Sequence, residues 1–146
     1  MSQNTHKLVR ITFINWYLFD SIDILVSAIS TLFRGQNGVG KSSILDGVQA
    51  CIAGADENLM SMNAASSNGK RSGRSVYSYI MGEVAESPGH AASEPRTETN
   101  SYIALTFENR NGGFYSFGVS LHAKKGRREV TKNFFALEGG EIKADD

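Results

Sequence analysis

Eight consecutive residues carry the clearest chemistry in this chain: Gly35, Gln36, Asn37, Gly38, Val39, Gly40, Lys41 and Ser42. They match the pattern G-x-x-x-x-G-K-[ST] at every defined position. A chain that turns back on itself with this spacing aims successive main-chain N–H groups inward at a phosphate. The glycines supply the backbone angles and keep Cβ atoms out of that space. A helix beginning near Lys41 adds the partial positive charge of its N-terminus, roughly half an elementary charge. Lys41 is placed to reach β- and γ-phosphates, the Ser42 hydroxyl to hold Mg²⁺, and Ser43 follows in the same turn. The predicted nucleotide contacts therefore run from Gly35 to Ser43, with ATP and Mg²⁺ as ligands and Ser42 as the metal contact. No Ser/His/Asp or Cys/His arrangement accompanies the loop, so no catalytic residue is assigned.

Such a loop needs a strand to deliver it and a helix to receive it. The apolar run 29–33 ends abruptly at Arg34 and Gly35 and is the predicted incoming strand. Residues 41–53 read as the helix, with Ile44, Leu45, Val48, Cys51 and Ile52 as one apolar stripe and Gly54 as its stop. Gly47 inside that helix costs about 0.5–1 kcal/mol relative to alanine, which predicts a close packing contact there. Upstream, residues 7–16 alternate, Val9, Ile11 and Phe13 facing one way and Arg10 and Thr12 the other, as in a strand. Residues 22–26 form a second, short one. Downstream, Ile103, Leu105 and Phe107 alternate, 109–113 supply turn residues, and Tyr115, Phe117, Val119 and Leu121 alternate again, which predicts a hairpin. A turn at 124–128 and a strand at 130–137 follow, and 138–146 trail off without an element. Residues 76–81 are a short apolar island, a helical turn or an edge strand. The polar, small-residue stretches 61–74 and 86–100 read as weakly ordered.

Composition bounds the function. The 146 residues carry 15 Lys plus Arg against 15 Asp plus Glu. No global basic field gathers nucleic acid, so any DNA contact must come from a local patch or from other parts of an assembly. A single cysteine, Cys51, excludes an internal disulfide framework and a multi-cysteine zinc site, and it fits a reducing, cytoplasmic compartment. No apolar run approaches the roughly 18 residues that span a bilayer, and the first ten residues lack a signal-peptide core. The expectation is a soluble, cytoplasmic domain with no membrane partner. His6, His90 and His122 show no ligand spacing. The run Trp16-Tyr17-Leu18-Phe19-Asp20 ends in an acid, but it precedes the loop and is followed by Ser21, so it reads as structural rather than as a Walker B. Trp16 and Tyr17 read as core before adenine stacking, and Cys51 as a buried small hydrophobe. Lys70, Arg71 and Arg74 read as a solvated loop first and a phosphate or DNA contact second. Lys124, Lys125, Arg127 and Arg128 around Gly126 read first as a solvated hairpin tip, with DNA contact as the second reading.

The segment Gln36-Asn37-Gly38-Val39-Gly40-Lys41-Ser42-Ser43-Ile44-Leu45-Asp46-Gly47-Val48-Gln49 resembles the N-GxGKS-x-ILDAI-x pattern of the SMC, RecN and MukB type of ATPase head. Ile11-Thr12-Phe13-Ile14-Asn15-Trp16 followed by Phe19 is similar to the strand that opens those heads. Met62-Asn63-Ala64-Ala65 and Arg74-Ser75-Val76-Tyr77-Ser78-Tyr79-Ile80-Met81-Gly82 look like stretches of the condensin-like, JetC-type ATPases of the Wadjet plasmid-defence system and their MksB relatives. The likeness spans about 8–117 and is weak over 85–99.

The resemblance implies an α/β, P-loop NTPase fold of ABC/SMC-head type. Residues 1–146 would form the N-terminal half of the head, an antiparallel β-subdomain leaning on a strand–loop–helix unit. In such heads the N- and C-terminal halves of one long polypeptide fold together across a coiled coil, and the C-terminal half brings the signature loop and the Walker B acids. Two heads sandwich two ATP molecules, and hydrolysis drives movement on DNA. The implied partners are the C-terminal half of the same head, a second head, DNA through the assembly, and kleisin-like and accessory subunits. No heptad segment, signature motif, Walker B or Q-loop glutamine is found in these residues. The chain is therefore expected to bind nucleotide, with hydrolysis only in the complete, dimerised head. A RecN- or RecF-type repair ATPase, a self-contained small NTPase, and a stand-alone interaction module without turnover are the other readings.

Overall fold

The computed structural model describes residues 5–36, 40–60, 74–83 and 96–145. The elements are β1 (Lys7–Trp16), β2 (Phe19–Leu25), α1 (Lys41–Ile52), α2 (Val76–Met81), β3 (Glu98–Glu108), β4 (Phe114–Lys124) and β5 (Arg127–Glu138). The strands make one antiparallel sheet in the order β2-β1-β3-β4-β5. Register sets its two faces. Ile11 lies opposite Leu105 and Phe13 opposite Ile103, which in turn lies opposite Val119. These side chains share one face with both helices and form the core. The alternate residues Thr12, Thr106 and Ser116 are also buried, on the other face.

The turns follow their local chemistry. Asn109 Oδ1 accepts from the N–H groups of Asn111 and Gly113, both at 2.9 Å, which closes the β3–β4 hairpin. The β4–β5 turn is tighter than the sequence suggested: Lys124 pairs with Arg127, leaving only Lys125 and Gly126 between the strands. Gly126 takes φ 85, where a side chain would be strained. The island at 76–81 is a helix. Ser75 and Ser78 form a reciprocal capping box, and Glu57 accepts from the Val76 N–H at 2.7 Å. Those partners matter because six residues cannot hold a helix by propagation alone.

Three expectations are corrected. The run 29–33 is not a strand: Ile29 and Leu32 are 92% and 81% exposed, and no strand among the described residues pairs with this run. The observed pairings are all antiparallel, so the described residues show the antiparallel β-subdomain but not the α/β unit in which a strand feeds the loop. The buried face of α1 is also rotated from the apolar stripe. Ser43, Asp46, Gly47, Ala50 and Cys51 are buried, whereas Leu45 and Ile52 point outward. Small residues allow the close approach: a Cβ on Gly47 would sit 2.3 Å from Phe13 Cε1 and 2.8 Å from Trp16 Nε1. Part of the stretch 86–100 is built into the fold, since β3 begins at Glu98 and the Arg96 N–H donates to Met81 O at 2.8 Å. Residues 61–73 and 86–95 of the expected weakly ordered stretches lie outside the described residues.

The residues after Glu138 form no element, as expected, but they are held on the sheet. After β5 the chain crosses the sheet face away from the helices, without helix or strand, and is pinned by polar groups. Ser116 Oγ donates to Gly140 O at 2.9 Å, the Ala144 N–H donates to Asp23 Oδ2 at 3.1 Å, and Glu141 pairs with Arg10 at 3.5 Å. Thr12 donates to the other oxygen of Asp23 at 2.6 Å. This crossing satisfies polar side chains that the strand pattern places on a covered face.

Two outcomes follow from the packing. Gly47→Ala should lower stability by about 1–3 kcal/mol through overpacking against Phe13 and Trp16, despite alanine's better helix propensity. A urea midpoint equal to or above wild type would count against the close approach. Cys51 is buried with its sulfur 3.7 Å from Ile103 O, and burial pushes its thiol from 9.0 up to about 12. Ellman's reagent at pH 8 should label it only after denaturation. A thiol whose folded pKa lies above its unfolded value contributes stability below pH 9 that is lost as pH rises from 9 toward 12. Cys51→Ala should remove part of that alkaline slope in a pH series of urea midpoints.

Candidate nucleotide-binding site

The phosphate loop is delivered to one end of the sheet by aromatic contacts. Gly40 is the N-cap of α1 at φ 95, and a Cβ there would meet the Phe19 ring at 3.0 Å. Trp16 pairs with Phe19 across the β1–β2 turn and donates from its indole N–H to Ser43 O at 2.8 Å. The sequence reading of Trp16 as core therefore holds: it is fully buried. Phe13 stacks on Phe19, with centroids 5.7 Å apart. The start of α1 is thus seated on a row of aromatic side chains from the β1–β2 hairpin.

Lys41 closes the loop. Its ammonium donates to Gly35 O at 2.6 Å and to Gln36 O at 2.5 Å. The side chain is thus folded over the entrance of the loop, bound to carbonyls that a phosphate oxygen can replace. Ser42 is exposed in the first turn, and Ser43 is buried. Ser43 therefore belongs to the packing against Trp16 and can offer a phosphate only its main-chain N–H. Asn37, Gly38 and Val39 lie outside the described residues. No side chain caps α1 and its first turn holds no acidic residue, so the positive end of the helix meets no competing carboxylate there. Gly40 in a left-handed conformation, an uncapped helix start and a lysine on loop carbonyls fit a nucleotide phosphate, and the exposed Ser42 hydroxyl is the group that would hold a Mg²⁺ bound with it.

Behind the loop lies a cluster that the residue pattern alone did not single out. Asp46, fully buried, accepts a hydrogen bond from the Tyr79 hydroxyl. The Tyr79 ring stacks on Trp16 with centroids 4.7 Å apart. Burial, and then the neighbouring Asp46 carboxylate, push the Tyr79 phenol above its ordinary range, so it stays a donor. Arg74 lies 3.3 Å from that hydroxyl and over the Tyr17 and Tyr79 rings at 6.0 and 5.9 Å. Its place is on aromatic faces rather than in open solvent. Lys70 and Arg71 lie outside the described residues. Arg96 staples this region: its guanidinium donates to Tyr17 O and Ile80 O, both at 3.2 Å, and to Asp20 at 3.1 Å. Asp20, the acid that ends the Trp16 run, is thus exposed and paired with Arg96. Asp46 lies on the side of α1 away from the apolar stripe, so periodicity gave no signal that it would be buried, and Arg96 had none either.

Antiparallel register brings other groups to the same sheet end. The pairs Lys124–Glu98 and Lys124–Arg127 place the basic β4–β5 tip there, and Lys124 also forms a 3.6 Å ion pair with Glu98. A cavity of about 520 Å³ at this end, lined by Asn15, Glu98, Asn100 and Tyr102 among others, holds no residue of the phosphate loop. Among the described residues no group of three His, Cys, Asp or Glu gathers for a metal, and no helix is long and apolar enough to cross a membrane.

A family model described as the P-loop containing region of AAA domain matches residues 8–69. No curated protein matches the chain. The matched residues begin in β1, take in β2, the phosphate loop and α1, and so cover the aromatic seat as well as the loop that it holds. Residues 8–69 are a P-loop nucleotide-binding region.

Proposed function

We propose that this chain is the ATP-binding N-terminal segment of a condensin-like, SMC/MukB/JetC-type ATPase that moves DNA. The observation that carries the nucleotide reading is the Lys41 ammonium lying on Gly35 O and Gln36 O at the mouth of a loop whose last glycine caps α1. The aromatic seat fixes the axis of α1, so its first N–H groups keep their aim without rearranging when phosphate arrives. Lys41 exchanges loop carbonyls for phosphate oxygens, and Ser42 presents its hydroxyl. Mg²⁺, when bound, neutralises charge on the β- and γ-phosphates.

The wider reading draws on the residue resemblance and on the surface that α1 leaves open. Leu45 and Ile52 lie about two turns apart on the outer face of α1 and are 51% and 67% exposed. The apolar run entering the loop, with Ile29 and Leu32, is exposed as well. Apolar surface of this kind supports an additional layer that covers α1 and pairs with the run. In the proposed assembly the C-terminal half of the head is that layer. A second head completes the nucleotide sandwich, and DNA, kleisin-like and accessory subunits are engaged by the assembly.

The test is calorimetric titration of the chain with Mg-ATP. Wild type should bind, and Lys41→Ala should lose binding while keeping its circular dichroism spectrum and urea midpoint, because the lysine's contacts are confined to exposed loop carbonyls. Equal affinity in the two proteins would overturn the assignment.

A further inference from the structure

We propose that Tyr79 and Asp46 are positioning residues of the nucleotide site: their hydrogen bond locks the first two turns of α1 against α2 and so sets how Lys41 and Ser42 meet the phosphates. The proposal rests on the nucleotide-binding reading and adds a second anchor to it.

Asp46 follows Ser42 by four residues and so lies about one turn, roughly 6 Å, further along the same side of α1. Helical side chains lean toward the N-terminus, which carries Asp46 under the turn that holds Ser42 and Ser43. Both partners are removed from solvent, Asp46 at 0% and Tyr79 at 1% exposure. A carboxylate in that setting requires a donor, and a helix carrying it is held wherever the donor is held. The donor is fixed from three sides. Its ring stacks on Trp16, its carbonyl accepts from the Tyr17 N–H at 2.9 Å, and Arg74 lies 3.3 Å beyond its hydroxyl. Trp16 itself donates to Ser43 O. Consecutive buried positions of α1, 43 and 46, are therefore each bonded to one member of a single stacked aromatic pair. The aromatic seat holds α1 by shape; the two directional bonds add a fixed direction to that contact.

The experiment measures Mg-ATP affinity of the whole chain by titration, with the emission of Trp16, its single tryptophan, as a second readout. The variants are Tyr79→Phe, Asp46→Leu, Asp46→Asn and the Tyr79→Phe/Asp46→Leu double. Tyr79→Phe and Asp46→Leu should each weaken ATP about tenfold, the scale of one hydrogen bond to a charged group. The double variant should be no weaker than either single one, because both remove the same bond. Asp46→Asn keeps an acceptor oxygen and should recover most of the affinity lost in Asp46→Leu, together with the Trp16 emission response to ATP. Wild-type affinity in Tyr79→Phe, additive losses in the double variant, or equal losses in Asp46→Asn and Asp46→Leu would each overturn the proposal while leaving the nucleotide reading standing. Should Tyr79→Phe lose the fold by circular dichroism, the Asp46→Asn against Asp46→Leu comparison decides in the same way. Absence of ATP binding by the folded wild-type chain would overturn both.

Discussion

The contact on which the site depends is the approach of α1 to the C-terminal end of β1. Gly47 leaves no room for even one methyl group against Phe13 and Trp16, and one helical turn earlier the Trp16 indole is bonded to Ser43 O. Shape and direction are thus fixed together. Interdigitated packing limits how far the helix can slide, and the hydrogen bond chooses its rotation. Everything at the phosphate loop inherits that placement, since Gly40 and Lys41 are the residues that lead into this helix.

The same contact explains the unusual composition of the two sides of α1. A helix pressed this close to a sheet must bury small residues, and its inward face is Ser43, Asp46, Gly47, Ala50 and Cys51. Two of these are polar and need partners. Ser43 finds Trp16 through its carbonyl, and Asp46 finds Tyr79. The larger apolar residues Leu45 and Ile52 are consequently displaced to the outer face. The apolar stripe is thereby split: Ile44, Val48 and Cys51 pack on the core, whereas Leu45 and Ile52 serve a surface other than the one that the sheet provides.

The opposite face of the sheet follows a different rule. Its covered centre holds Thr12, Thr106 and Ser116, and the Thr106 and Ser116 hydroxyls lie 2.9 Å apart. Apolar packing cannot satisfy such groups, whereas an extended main chain offers a carbonyl or an N–H at every residue. The chain after β5 does this across the strands, reaching Asp23 beside the β2 edge. Burial by irregular chain is tolerable here because the strand side chains supply the missing hydrogen bonds.

What the residues determined on their own was local. The phosphate loop, β1, the helix after the loop and the β3–β4 hairpin were all legible, because glycine placement, period-two alternation and turn residues act over a few neighbours. Gly47 was readable as a close contact because its cost in a helix demands a compensating approach. Tertiary structure decided the rest. The run 29–33 has strand composition, yet a strand exists only where another pairs with it, and none of the described strands does. The buried side of α1 could not be taken from hydrophobicity, since steric fit at Gly47 outranks the transfer of Leu45 and Ile52 from water. The partnership of Asp46 with Tyr79, the role of Arg96 and the path of residues 139–145 join groups far apart in the chain. Their geometry exists only once the sheet has brought those groups within hydrogen-bonding distance.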